Sequence, residues 1–293
     1  MIRLTVTVHR GLFGPTADEW TRRLTLIAAM VGFLGHLTLW ILHEFGTIQV
    51  PSEAHKLLNS PLAALYTPFS ILLTYEVYQL IKAIPESFST AVGKQFEVAT
   101  LLVVRDVFKR LSNIQFEGEW TLSGELGLVV VECITFLIML VAALMYENGV
   151  PSSNVDDWKQ DELDSFVTGK KFIAVLLLFM FLAIGLMSIT GWLMSVNAGE
   201  VSVKRDIFFL DFFTCLILAD IFILLISYRH SHDFYALVRN TGFVLSTVIL
   251  RVAISAPGLS SMALFAISGV LGILVLRVTR YFRRRDVSAP TAR

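Results

Sequence analysis

Apolar residues along this chain gather into runs of about 20, and most runs stop at proline, glycine or a cluster of charges. A helix of that length crosses the hydrocarbon core of a bilayer, so each run predicts a membrane helix. The clear ones are Leu24–Phe45, Pro61–Ile84, Gly124–Tyr146, Lys171–Val196, Ile207–Tyr228, Tyr235–Ser255 and Leu259–Leu276. Pro61 suits a helix start, Pro68 a kink and Pro85 a stop. Gly185 and Gly191 predict a close approach between helices. Thr16 and Glu19 have the spacing of a capping box, which starts a helix there and runs it toward the membrane.

One stretch, Ser87–Leu111, has a helical apolar pattern but carries Lys94, Glu97, Arg105 and Asp106. Alone it reads either as an interfacial amphipathic helix or as a charged spanning helix. An internal repeat favours the second. In each half an apolar helix is followed by a helix with one interior acid, Glu76 or Asp220, and then by a polar turn. The next helix opens on a base-amide pair, Lys94-Gln95 or Arg239-Asn240, and runs to Arg105 or Arg251. Corresponding positions lie about 145 residues apart. The expected fold is therefore an all-α integral membrane protein with about eight transmembrane helices arranged as two pseudo-repeated four-helix units. These units are 24–146 and 171–280, with an N-terminal segment 1–23, an acidic linker 147–170 and a basic tail 281–293.

Charge orients this arrangement. Arg3, Arg10, Arg22 and Arg23 precede the first run, and Arg277, Arg280, Arg283, Arg284 and Arg285 follow the last. Basic flanks stay on the cytoplasmic side, and an even number of spans puts both termini there, in a bacterial inner (plasma) membrane.

Composition agrees with that class. The 293 residues are 55% hydrophobic and 16% charged, against about 25% charged in a soluble domain. A net charge of +0 gives no field for nucleic acid. Cys133 and Cys215 lie inside apolar runs and read as small buried hydrophobes. His230, His232 and Asp233 sit at a polar turn and read as solvated rather than metal-binding, and His36 reads as a packed histidine. The sequence holds no phosphate-binding loop, nucleophile elbow, HExxH or dinucleotide motif, so no catalytic residue, metal or cofactor is assigned.

The informative chemistry is the charge inside the apolar runs. Ionisable groups at membrane depth are costly, and they face partners or water and mark function. At 1.5 Å rise per residue, Glu76 lies roughly 12 Å from its turn, at the depth of Lys94 and Glu97. The same arithmetic pairs Asp220 with Arg239, and puts Asp211 near the depth of Arg251. Arg105 has Asp106 beside it, and Asn240 and Arg251 share a helix face, as Lys94 and Arg105 do. Glu132 either joins this interior or stays as a lone protonated carboxyl. Acids and arginines on separate helices are also ingredients of voltage sensors, but the arginine ladder of those domains is missing, and no family is assigned.

The expectation is a membrane transport protein, an ion channel or ion-coupled small-solute transporter. Glu76, Lys94, Glu97, Arg105, Asp106, Asp211, Asp220, Arg239, Asn240 and Arg251 would line its polar interior. The alternative is a non-transporting anchor or regulatory subunit of a membrane complex. Besides the lipid bilayer, the partners these readings imply are an ion or small charged solute, and a second copy or a membrane-complex partner.

Overall fold

The computed structural model describes residues 2–46, 58, 60–111, 124–147, 160–197, 206–230 and 234–288. Among them it has nine α-helices: α1 (Ile2–Phe13), α2 (Pro15–Glu44), α3 (Tyr66–Ala83), α4 (Phe88–Leu111), α5 (Glu125–Glu147), α6 (Gln160–Asn197), α7 (Asp206–His230), α8 (Phe234–Ser255) and α9 (Gly258–Ser288). A 3-10 turn, Pro61–Leu65, leads into α3. Five stretches are long and apolar enough to cross a membrane: Leu4–Glu44, Leu126–Glu147, Asp164–Ser188, Leu237–Ile254 and Gly258–Phe282. α7 adds a shorter apolar stretch, Phe212–Tyr228. The outer surface matches: Leu34, Leu137, Leu182 and Leu225 are each more than half exposed. So much exposed aliphatic surface is the face a helical bundle turns to lipid, and the protein reads as a membrane protein.

Several boundaries differ from the sequence reading, each for a physical reason. Residues 2–13 form a separate helix ahead of α2. α2 begins at Pro15, whose fixed φ suits a first helical position, after an extended Gly14. Thr16 and Glu19 do not form a capping box; the Glu19 carboxylate accepts from Arg22 at 2.9 Å and Arg23 at 2.7 Å instead. Pro68 falls in the first turn of α3, where a missing N–H costs no bond, so it starts the helix rather than kinking it. Residues 160–170, read as the end of the acidic linker, and the following span are one 38-residue helix, α6. Gly191 faces open space, and the tight approaches are elsewhere. Cys133 is exposed on α5. Residues 148–159 of the acidic linker, His232 and Asp233 lie outside the described residues.

Two cores hold the bundle. In one, α4, α5, α8 and α9 pack around Phe96, Met139, Tyr146, Phe243 and Phe265. Glycines set the spacing there. A side chain at Gly242 would meet Val275 at 2.8 Å, and one at Gly272 would meet Phe96 at 2.9 Å and the Tyr146 hydroxyl at 3.0 Å. The Tyr146 ring stacks on Phe96 at 5.2 Å, and its hydroxyl donates to the Gly272 carbonyl. In the other core α3, α4, α6 and α7 meet around Leu73, Val77, Ile81, Ala174, Phe212 and Leu216, with Phe13 of α1 inserted. Phe13 stacks on Tyr78 at 5.5 Å. Between the last two helices Gly258 takes φ 53°, a left-handed turn that disfavours any side chain.

Candidate functional site

Where α4, α7 and α8 converge, three side chains from both halves of the chain share one carboxylate oxygen. Arg251 of α8 donates from Nη2 to Asp220 Oδ2 of α7 at 2.6 Å and to Gln95 Oε1 of α4 at 2.8 Å. Gln95 Nε2 closes the ring onto the same Asp220 oxygen at 2.9 Å. The Arg251 side chain is 1% exposed and that of Asp220 13%. Shared, charge-assisted bonds of this kind are short and directional, and they define which helices pack together.

The depth arithmetic assigned Asp220 to Arg239; the carboxylate is held by Arg251 and Gln95 instead. The cause lies in side-chain direction. Side chains on a helix lean toward its N-terminus. Arg251 therefore reaches back toward the α7–α8 turn while Asp220 leans away from it, and a long guanidinium closes the rest of the gap. Arg239 sits at the start of the same helix, one residue before the buried Asn240. Asn240 Oδ1 has no hydrogen-bond partner among the described residues. The side chain of Asp211 lies outside the described residues.

The first-half group is looser. Lys94 donates to Glu97, one turn on, at 2.5 Å, and each side chain is about one-third exposed. Glu76, expected to pair with Lys94, lies within electrostatic range of both but leaves the ion pair to Glu97. Arg105 bonds neighbouring Asp106 at 3.3 Å, as its position suggested, and stands 5.4 Å from the Tyr66 ring centroid. The structure thus brings Asp220 and Arg251 together, groups Glu76 with Lys94 and Glu97, and keeps Arg105 with Asp106 apart from both.

Glu132, 1% exposed, accepts from Arg110 Nε at 2.7 Å, so of the two readings of this residue it is an ion-paired carboxylate and not a lone one. Two other buried or half-buried charges, Lys170 and Asp18, lie outside the predicted set. Lys170 is buried at 5%, donates to the Glu86 carbonyl, and has its ammonium 5.4 Å from the Phe166 ring. Asp18, at the start of α2, accepts from Lys82 at 2.8 Å, Gln79 at 2.6 Å and Tyr75 at 3.2 Å. Tyr78 donates to the Leu12 carbonyl at 2.9 Å. These bonds fasten the α1–α2 corner to the last turns of α3. The sequence carried one signal for this: Tyr75, Tyr78, Gln79 and Lys82 fall on one helical face by their spacing of three and four. His36 bonds Thr67 at 2.6 Å, a packed histidine as expected.

Asp18→Ala is expected to cost about 1–3 kcal/mol, since it strands Lys82 and Gln79 in a half-buried setting. Limited proteolysis should then cut within residues 2–14 several-fold faster. An unchanged rate would show that the corner is held by Phe13 alone. No family model, no curated protein and no solved structure matches this chain.

Proposed function

We propose that this protein is a membrane transport protein, an ion channel or ion-coupled small-solute transporter, whose moving parts are joined by the Gln95–Asp220–Arg251 triad. The observation that carries the reading is the near-complete burial of Arg251 against a carboxylate, at a junction of the two sequence halves. Three apolar side chains would fill that junction at no electrostatic cost, and replacing a buried ion pair in this way is often neutral or stabilising. Retaining an ion pair among apolar helices fits a bond that is made and broken as helices move. The partly exposed Glu76, Lys94 and Glu97 supply a polar group in the first half of the chain.

The two-repeat reading draws support from the packing. α4 lies on α5 as α8 lies on α9, and α4·α8 and α5·α9 pair each helix with its own counterpart. That is the pattern of a pseudo-two-fold axis, and repeat-built transporters place their sites on such an axis. With α3, α4 and α7 also spanning, eight crossings put both basic termini on the cytoplasmic side of a bacterial inner membrane. Asp18, Lys82, Glu86 and Lys170 then share that side.

The test is flux. Purified protein in proteoliposomes should move at least one of Na+, K+, H+ or Cl−. The double substitution Asp220→Asn with Arg251→Gln should reduce that flux at least tenfold while the protein elutes as wild type. No movement of any of these ions across a range of pH would sink the reading. A second reading, a non-transporting anchor or regulatory subunit, is favoured by the closure of the triad on itself. Under it the double variant still assembles with its partner, and the wild type moves no ion.

A further inference from the structure

The corner where α1 meets α2 leaves a cavity of about 420 Å³ between it and the helices it rests on. That volume is in the range of ligand pockets, roughly 300–1,000 Å³. Its walls include Gly11 and Leu12 of α1, Trp20 of α2, Tyr75 and Tyr78 of α3, and Phe181 of α6. It is not sealed. Trp20 on its rim is 72% exposed, and Leu182, also in the wall, is 56% exposed. Leu24, Ile27 and Met30 continue the exposed apolar surface along α2. An apolar cavity that opens sideways onto a lipid-facing surface is entered from the bilayer and not from water.

Basic residues neighbour the wall. Arg10 precedes Gly11, Arg22 and Arg23 follow the wall residue Thr21, and Arg22 lies within electrostatic range of the wall residue Tyr75. Arg22 and Arg23 share a single carboxylate, Glu19, so one positive charge is left over, to which exposed Arg10 adds. The nearby Asp18 is already neutralised by Lys82. Trp20, Tyr75 and Tyr78 are the residue types that sit at headgroup level, with rings in hydrocarbon and polar edges in the interface.

We infer that this corner is a binding site for one anionic phospholipid, with an acyl chain in the cavity and the headgroup phosphate held by Arg10, Arg22 and Arg23. The inference uses the membrane setting of the chain but not its transport activity. A protein that moves no ion can still hold the lipid, so the two readings fail separately.

Gly11 provides the test. A Cβ built there meets nothing within 4 Å, and Gly11 lines the cavity, so Gly11→Leu is the substitution chosen to fill the space. Leucine is also the better helix former, so α1 is not weakened. Protein would be passed through nanodiscs of equal phosphatidylglycerol and phosphatidylcholine, extracted mildly, and its retained lipid counted by native mass spectrometry. Wild type should keep one phospholipid per chain, with phosphatidylglycerol preferred at least fivefold. Gly11→Leu should keep at least tenfold less while melting at or above the wild-type temperature. Arg10→Gln, Arg22→Gln and Arg23→Gln combined should still keep a lipid but lose the preference. Wild type that retains no lipid, or retains both headgroups equally, overturns the inference. So does Gly11→Leu that retains as much as wild type.

Discussion

Asp220→Ala is expected to cost about 3–5 kcal/mol of stability, the loss usual when one partner of a buried ion pair is removed. The variant leaves the Arg251 guanidinium with almost no access to water and without its counter-charge. Gln95 loses the acceptor for its Nε2 as well. Asp220→Asn combined with Arg251→Gln removes both charges and keeps polar atoms in the ring, so it should recover most of that loss. The coupling between the two sites, read from a double-mutant cycle in mixed micelles, should exceed about 2 kcal/mol, toward the upper end for residues in one network. Additive costs would mean that the Asp220 carboxylate is not what holds Arg251.

Phe96→Ala should cost a similar amount, about 3–5 kcal/mol, the range for deleting a buried aromatic ring. Phe96 is fully buried and lies between Tyr146 and the bare backbone of Gly272. Its neighbours cannot easily move in to fill the gap. Tyr146 is tied by its hydroxyl to the Gly272 carbonyl and is flanked by Phe243 at 5.2 Å. Phe96 also directly follows Gln95 in α4, so the variant should loosen the triad and make Asp220 substitutions less costly than in wild type. Denaturant titration of the single and double variants measures both effects. A cost below about 1 kcal/mol would show that the α4–α9 contact repacks freely.

The sequence made the helices legible because nearly every apolar run is punctuated. Ser87, whose hydroxyl accepts from Thr90 N–H at 3.2 Å, opens α4, and the Ala256-Pro257-Gly258 break separates α8 from α9. It also marked Asp220 and Arg251 as important, because charge inside an apolar run stands out in one dimension. What it could not give was the pairing. Depth counted along two helix axes treats side chains as points, whereas arginine is long and leans back along its helix. Gln95 lies 125 residues from Asp220, and the repeat marked it only as the amide beside Lys94; its acceptor is set when the helices pack. α1 was hidden for a different reason. Its Leu-Thr-Val-Thr-Val run alternates and is β-branched, a pattern suited to a strand, and only docking against α3 and α6 selects the helix.

The unbroken length of α6 has a mechanical consequence. At 38 residues it is about 57 Å long, against about 30 Å of bilayer hydrocarbon. Its apolar part, Asp164–Ser188, is joined to the acidic turn before it, Gln160 to Leu163, with no proline and no intervening loop. α6 is therefore a lever with its fulcrum in the membrane. A tilt of the lipid-embedded arm is delivered to the aqueous arm as a swing of the same angle, with no joint to absorb it. The fulcrum region carries Lys170, bonded to the Glu86 carbonyl at the α3–α4 turn. Force applied to the acidic end is thus transmitted to the start of α4, two turns from Gln95.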